Sequence, residues 1–328
     1  MGSRLIISGA CVVTAIAAGV LAADPTLNLV VKETFEQHQV HSDRGKSGST
    51  QITYHGGAVM TGAPVKVYLI YYGALVTPAP PVPSTETVVN QFFSDLSNAA
   101  PYAVNSTYYD ASGAKIAGSF YFNPIAYSAS GSPTGSLYFD AAASQGTSIG
   151  SHTVPSIVQH AIKSGGLPVD SNGVYFVLTG PEIKVSGFCK SFCAYHTSST
   201  SISPGMKIRY ALVPDPGQAC TGCDGNYSNY NQTVTPNGNQ GADEMTDSII
   251  HELSETVTDP DISAWYTASG AENGDLCNYV YGSGTLPRVP TGPGTGAYYN
   301  FASATGHYYL IQEIWSNVAP QACLSKLP

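Results

Sequence analysis

The chain has 328 residues, of which 43% are hydrophobic and only 11% are charged, and its formal net charge is −9. This composition excludes a disordered chain, because so many hydrophobic residues can bury a substantial core. Its 13 basic residues are scattered, whereas a nucleic-acid-binding surface needs clustered lysine and arginine, so no nucleic-acid partner is expected.

Residues 1–23 have the layout of a signal peptide. The apolar run from Leu5 to Leu21 follows a basic residue, is interrupted by polar and glycine residues, and closes on small ones. It is shorter than the roughly 20 apolar residues of a membrane span. We therefore expect cleavage near Ala22 or Ala23, secretion, and no membrane span in the mature chain. In a eukaryotic host, secretion would also expose three glycosylation sequons, which begin at Asn105, Asn226 and Asn231.

The first predicted elements are a strand and a helix. Residues 24–53 are polar and aperiodic, which predicts an extended N-terminal arm ahead of one domain over residues 54–328. The segment 65–72 is β-branched and aromatic with apolar residues on both faces, as in a buried central strand. Apolar residues then recur at helical spacing behind Ser84, a residue typical of helix N-caps.

Strands and helices continue to alternate toward residue 180. Short apolar alternations between residues 108 and 138, such as 118–122, predict strands. A second helix is expected to begin near Pro155, and a second core strand to cover residues 173–178. This order predicts an α/β or α+β fold, with a mixed sheet and a few helices in a single domain.

Six cysteines follow the predicted signal peptide, an even number that indicates up to three disulfide bonds in a secreted chain. They are Cys189, Cys193, Cys220, Cys223, Cys277 and Cys323. Sequence alone leaves their connectivity open, and the two close pairs could alternatively supply four thiolates to a zinc ion. The segment 187–239 holds four of them and shows little periodicity, which predicts a loop-rich half ordered by disulfides.

A third helix is predicted over residues 242–258, and it carries the clearest chemical signal. His251 and Glu255 are four positions apart and therefore share one face of the helix. In zinc metalloproteases, His-Glu-x-x-His places two zinc ligands at this spacing, and its Glu activates water. Glu255 stands here in place of the second histidine, and a carboxylate can still bind zinc. The helix therefore predicts a zincin-like site with Glu252 as general base, with calcium as an alternative to zinc.

One more ligand is expected from either Glu272 or Asp275, which follow His251 by 21 and 24 residues. Acidic residues are sparse in this chain, so their clustering around one histidine indicates a functional site. The cluster consists of Glu252, Glu255, Asp259, Asp261, Glu272 and Asp275. Further candidate ligands are Asp259, His196 and His307. The alternative interpretation is a polar face on a purely structural helix.

Several segments together resemble the EXORDIUM family, also called the phosphate-induced protein family, of plant extracellular proteins with microbial relatives. They are Thr53–Gly57, Val67–Gly73, Gly187–His196, Ile250–Leu253 with Val257–Thr258, Glu272–Cys277, Tyr309–Gln312 and Trp315–Asn317. The resemblance implies an extracellular or cell-wall location and, for plant members, a role in growth, without an established reaction. Plant members often have Asn at the position of Asp259, and some lack the acid at Glu255, so this chain keeps a fuller carboxylate set.

Two functions are therefore expected from the sequence. The leading hypothesis is a secreted metal-dependent hydrolase, similar to a metallopeptidase. The alternative is a noncatalytic extracellular growth or wall-associated factor, in which the same site is structural or binds calcium. Either function implies an extracellular or cell-wall partner, or a substrate, whose identity the sequence does not reveal.

Overall fold

The computed structural model describes most of the chain after residue 50. The described residues are 51–217, 220, 222–319 and 321–328. The predicted signal peptide, and the predicted arm as far as residue 50, lie outside these residues. Within them, no helix combines the length and the apolar character that crossing a membrane requires.

The described residues form both helices and strands. The α-helices are α1 (Thr85–Leu96), α2 (Ala100–Ala103), α3 (Thr153–Lys163), α4 (Gly225–Ser228) and α5 (Gln240–Thr258), and the 3₁₀ helices are Val104–Thr107 and Asp275–Cys277. The strands are β1 (Thr53–Tyr54), β2 (Lys66–Tyr72), β3 (Leu137–Asp140), β4 (Ser148–Ile149), β5 (Gly173–Thr179), β6 (Lys184–Val185), β7 (Tyr195–Ser203), β8 (Met206–Pro214), β9 (Trp265–Tyr266), β10 (Phe301–Ala302), β11 (Tyr308–Tyr309), β12 (Ile314–Trp315) and β13 (Cys323–Leu324).

A five-stranded mixed sheet in the order β3-β2-β5-β8-β7 forms the centre of the fold. Its first four strands are parallel, and β7 pairs antiparallel with β8 at one edge. Strands β2 and β5 are buried along almost their whole length, as expected for strands covered on both faces. Both strands were predicted from their continuous apolar sequence, and both predictions are confirmed.

Helices cover the two faces of this sheet. On one face, α1 and α5 contribute apolar residues such as Phe93 and Leu253 to a large core that includes Phe176 of β5. On the other face, α3 contributes Ile157 to a core that includes Val177 of the same strand. The Ser84 side chain accepts a hydrogen bond from the amide of Thr87 and caps α1, as predicted. The predicted single domain of mixed α/β type is confirmed.

The sequence predictions differ from the structure in two segments. The segment 187–239 is not uniformly loop-rich, because β7 and β8 form a long hairpin within it. Strand β7 is rich in serine and threonine and lies at the sheet edge, so a regular apolar period is missing from it. The predicted strand at 118–122 is reduced to one bridge, between Tyr121 and Lys66.

Three disulfide bonds join the six cysteines, which confirms the predicted number. They are Cys189–Cys220, Cys193–Cys223 and Cys277–Cys323. The alternative of a zinc ion held by four thiolates is therefore wrong, because each close pair is divided between two disulfides. The first two bonds attach the segment before β7 to the segment after β8, and the third attaches a short 3₁₀ helix to β13.

The sequon at Asn105 is not an accessible glycosylation site in the folded protein. Its side chain is fully buried, and its amide nitrogen donates a hydrogen bond to Ser254 Oγ of α5. Asn231 is exposed, whereas the side chain of Asn226 lies outside the described part of the structure. The expectation of three available acceptors is therefore wrong for Asn105.

Removing the bond between Cys277 and Cys323 should lower the free energy of unfolding substantially. The bond spans 46 residues of sequence, and the loss of loop-closure entropy for a loop of that size corresponds to about 4 kcal/mol. Urea unfolding of the double variant Cys277→Ser/Cys323→Ser measures the loss. A loss below about 1 kcal/mol would contradict the expectation.

Candidate metal centre

Helix α5 carries the predicted His-Glu-x-x-Glu motif into the interior. The Asn239 side chain caps its start by accepting a hydrogen bond from the amide of Ala242. At its end, Asp259 Oδ1 accepts hydrogen bonds from the amides of Ser263 and Ala264. Asp259, a candidate ligand from sequence, thus helps to end the helix and turn the chain.

A first cluster forms around the imidazole of His251. Its Nε2 lies 3.0 Å from Glu255 Oε1 and 3.6 Å from Asp275 Oδ1. Glu255 comes from the same helix face, one turn later, whereas Asp275 comes from the short 3₁₀ helix that follows the chain reversal. The structure therefore brings three of the four predicted metal ligands together.

The tautomer of His251 follows from its contact with Gln312. Gln312 Nε2 donates to the carbonyl oxygen of Gly274 at 2.8 Å, which orients the amide, because a carbonyl oxygen only accepts. Gln312 Oε1 then faces His251 Nδ1 at 3.0 Å, and Nδ1 must be the donor. In a neutral imidazole this leaves the lone pair on Nε2, directed at the two carboxylates, which is the arrangement found in metal-binding histidines.

A second cluster lies on the other side of Glu255. His196, from strand β7, places its Nε2 3.1 Å from Glu272 Oε2 and 3.7 Å from Glu255 Oε2. All three side chains are at most 1% exposed. Glu272, the fourth predicted ligand, thus faces His196, which the sequence offered only as a further candidate.

Glu252, the predicted general base, lies beside the first cluster. One of its carboxylate oxygens is within 4.8 Å of a ring nitrogen of His251. Both residues line a pocket of about 30 Å³. Asp275 and Gln312 also line this pocket, together with the disulfide-bonded Cys193 and Cys223. The first cluster is therefore accessible from a pocket, whereas the second is enclosed.

Burial and mutual repulsion decide the protonation of these groups. Burial lowers the pKa of His251, but the nearby carboxylates, Glu255 foremost, outweigh this effect and raise it well above its usual value. Burial, followed by repulsion from Asp275, raises the pKa of Glu255 to about 7. Burial, followed by repulsion from Glu255, raises the pKa of Glu272 well above its usual range. The interior thus favours added positive charge, from protons or from a cation.

These buried histidine and glutamate groups could hold a metal ion. Zinc binds histidine nitrogen and carboxylate oxygen at about 2.0–2.2 Å, so two ligands of a tetrahedral ion lie about 3.3 Å apart. The separations of His251 Nε2 from Glu255 Oε1 and Asp275 Oδ1, 3.0 and 3.6 Å, lie on either side of that value. The residues present therefore fit a divalent ion in chemistry, and both separations from His251 Nε2 are of the size that shared ligation needs.

The remaining predicted ligand, His307, lies elsewhere. Its Nδ1 pairs with Asp95 Oδ2 of α1 at 2.8 Å, so its inclusion among the candidate ligands is wrong. Sequence reasoning also missed Gln312 and Asp247. The Asp247 carboxylate accepts hydrogen bonds from the backbone amide of Gln312 and the hydroxyl of Tyr281. A signal for Asp247 was present, because it lies one helical turn before His251, but no spacing rule indicates Gln312.

At Gly274 the backbone of the loop packs closely against Glu255 and His251. A Cβ atom at this position would lie 2.9 Å from Glu255 Oε1 and 3.1 Å from a ring carbon of His251. Its carbonyl oxygen also accepts the hydrogen bond that orients Gln312. The absence of a side chain at this position therefore lets the loop reach both ligands of α5.

A separate group of buried acids surrounds the start of α5. Glu244 is 1% exposed, and its Oε1 accepts a hydrogen bond from the side-chain amide of Gln240. Its Oε2 has no hydrogen-bond partner among the described residues. Burial, followed by repulsion from Asp224 and Asp215, raises the pKa of Glu244 to about 9. Burial therefore favours the protonated form of Glu244 at neutral pH.

Comparison with known proteins gives the family. The conserved region of phosphate-induced protein 1 matches residues 52–326. This chain belongs to the phosphate-induced protein 1 family. The family resemblance drawn from the sequence motifs is confirmed.

The relatives of this chain have low sequence identity to it, but their alignments extend over most of its length. Protein EXORDIUM-like 5 of Arabidopsis thaliana is 28% identical, over 83% of this chain and 77% of the relative. Protein EXORDIUM-like 3 of the same plant is 27% identical, over 84% and 83%. Protein PHOSPHATE-INDUCED 1 of Nicotiana tabacum is 27% identical, over 80% and 85%. No solved structure matches the chain.

The substitution Gly274→Ala should destabilise the fold by about 1–3 kcal/mol, because its methyl group would push against Glu255 and His251. Gly150→Ala is the matched control, since the nearest atom to its Cβ would be 4.0 Å away, and a change within about 0.5 kcal/mol is expected. Urea unfolding at neutral pH compares the two. Equal losses in the two variants would contradict the close approach at Gly274.

The substitution Glu244→Gln should flatten the dependence of stability on pH. The folded chain holds the Glu244 proton more tightly than the unfolded chain, so its contribution to stability falls as pH rises from about 4.5 to about 9. The melting temperature of the variant should therefore exceed that of the parent at pH 8 and approach it at pH 4. Glu86→Gln, in the first turn of α1, controls for the change in net charge. Parallel melting curves of parent and Glu244→Gln across this range would refute the assignment.

Proposed function

We propose that this family member is a secreted, metal-dependent hydrolase of the peptidase type, in which His251, Glu255 and Asp275 hold a zinc ion. One observation carries the proposal: the His251 imidazole meets the carboxylates of Glu255 and Asp275 beside a pocket that Glu252 also lines. Three protein ligands and an open side are typical of catalytic zinc sites, whereas structural sites are closed.

The side chains at this site have different chemical roles. A divalent ion held there would supply Lewis acidity toward a substrate carbonyl group. Glu252 accepts the proton of the attacking water, because its carboxylate lies within 4.8 Å of a His251 ring nitrogen and lines the pocket. His251 does not act as the base, since Nδ1 donates to Gln312 and Nε2 faces the other ligands. Gln312 holds the ring in this orientation.

Secretion is the second part of the proposal. Three disulfide bonds support it, because such bonds persist in oxidising compartments. The predicted signal peptide over residues 1–23 supports it from the sequence. An extracellular or cell-wall substrate would follow from this location.

A noncatalytic extracellular growth or wall-associated factor is the second candidate function. The complete burial of the second cluster favours it, since an ion enclosed there would mainly fix the loop that carries Glu272 and Asp275. Calcium was the alternative ion from sequence, but calcium takes six to eight oxygen ligands. Each cluster instead offers one imidazole, a ligand that suits zinc better than calcium.

The metal part of the proposal is tested by the metal content of the full chain. Protein purified without added metal should contain at least one equivalent of a divalent ion, and His251→Ala should reduce that content. His307→Ala is the matched control, because it removes a histidine that pairs with a carboxylate outside the clusters. Less than about a tenth of an equivalent in the parent, unchanged by His251→Ala, would overturn the proposal.

The catalytic part is tested by Glu252→Gln. This variant should keep its metal and its melting temperature but lose hydrolysis of a mixed fluorogenic peptide library by about 100-fold or more, which is the usual contribution of a general base. Undiminished hydrolysis by the variant would exclude Glu252 as the base. No hydrolysis by the metal-loaded parent, together with a chelator-sensitive melting temperature, would favour the noncatalytic function.

A further inference from the structure

The two oxygens of Glu255 face two different histidines. Oε1 lies 3.0 Å from His251 Nε2, and Oε2 lies 3.7 Å from His196 Nε2. One carboxylate therefore belongs to both clusters, with one imidazole near each of its oxygens. A carboxylate in this position is suited to bind one cation with each oxygen.

The inner cluster has the composition of a cation site in its own right. His196, Glu255 and Glu272 each offer a ligand atom, and these atoms lie within 4.8 Å of one another. Glu272 Oε1 has no hydrogen-bond partner among the described residues, although the side chain is only 1% exposed. A buried carboxylate oxygen left in this state is costly unless a cation or a proton compensates it.

The charge of the two clusters is large enough to accommodate two divalent cations. Four carboxylates meet the two imidazoles in these clusters, and they belong to Glu252, Glu255, Glu272 and Asp275. When all four carboxylates are ionised and both imidazoles are neutral, two divalent ions neutralise the set, whereas one ion leaves two negative charges that protons must compensate. Uncompensated buried charge costs several kcal/mol for each ion.

We propose that His196, Glu255 and Glu272 form a second, interior site for a divalent cation, and that Glu255 bridges it to the site of His251. The bridge rests on the proposed function, because it requires an ion at His251, but the inner site does not. The inner site is closed to solvent and is therefore structural, in contrast to the outer site with its pocket.

The position of the inner site explains what its ion would do. His196 lies on the edge strand β7, opposite Ala211 of β8, while Glu255 lies on α5 and Glu272 on the loop after it. The preceding residue, Tyr195, packs into the core on the other face of the sheet, so strand alternation directs His196 toward α5. An ion at this point would connect the sheet edge, the helix and the loop.

Metal stoichiometry tests the inner site. The full chain is stripped with a chelator, reconstituted with Mn²⁺ or Co²⁺ alone, and freed of excess metal. We expect two equivalents in the parent, with an electron paramagnetic resonance spectrum that shows exchange coupling between the ions. His196→Ala should lose one equivalent and the coupling, and His251→Ala should lose the other equivalent. His307→Ala should retain both ions and the coupling.

The possible results separate the inner site from the proposed function. One equivalent in the parent, removed completely by either His196→Ala or His251→Ala, means a single centre and overturns the inner site alone. One equivalent of metal in the parent that is lost only in His251→Ala also overturns the inner site alone. Two uncoupled ions overturn the bridge. No bound metal in the parent overturns both proposals. If His196→Ala does not fold, Glu272→Gln, which keeps the size of the side chain, tests the same site.

Discussion

Charge buried under helix α5 is the constraint on which the rest of this structure depends. Four carboxylates and two imidazoles lie within a few ångströms of one another in an otherwise charge-poor protein. Such a set is stable only if its members are held in fixed geometry and compensated. The elements around it provide the fixed geometry, because the helix, the edge strand β7 and the loop after α5 each contribute at least one imidazole or carboxylate.

The loop that carries Glu272 and Asp275 is anchored on both sides. Asn273 lies between them, and its side chain donates to Asn105 Oδ1 and accepts from Thr258 Oγ1. Asn105 donates in turn to Ser254, on the helix itself. The disulfide of Cys277 follows two residues after Asp275. This polar network leaves the loop little freedom, so the carboxylates are positioned by buried hydrogen bonds rather than by the loop sequence alone.

Local patterns in the sequence were sufficient to predict the core strands, the three long helices and the pairing of His251 with Glu255. Each of these depends on residues that are close in sequence and repeat with a helix or strand period. The hairpin of β7 and β8 escaped detection because a polar edge strand lacks that period. Gln312 escaped for a different reason: it reaches the site through tertiary contacts over long sequence separations, which no spacing rule describes. For the same reason the sequence offered His196 only as a further candidate ligand. The assignment of Asp275 and Glu272 to different histidines was equally beyond the sequence.

A turn of four residues, 272–275, directs Glu272 and Asp275 toward different histidines. The amide of Glu272 donates to Asp275 Oδ2 at 3.0 Å, and Gly274 between them packs against Glu255 and His251. The turn therefore sends one carboxylate toward His196 and the other toward His251, with Glu255 between the two. Because the same turn and the same glutamate serve both clusters, a displacement at one must move ligands of the other. Under the proposed function, the closed cluster would thus set the geometry of the cluster that faces the pocket.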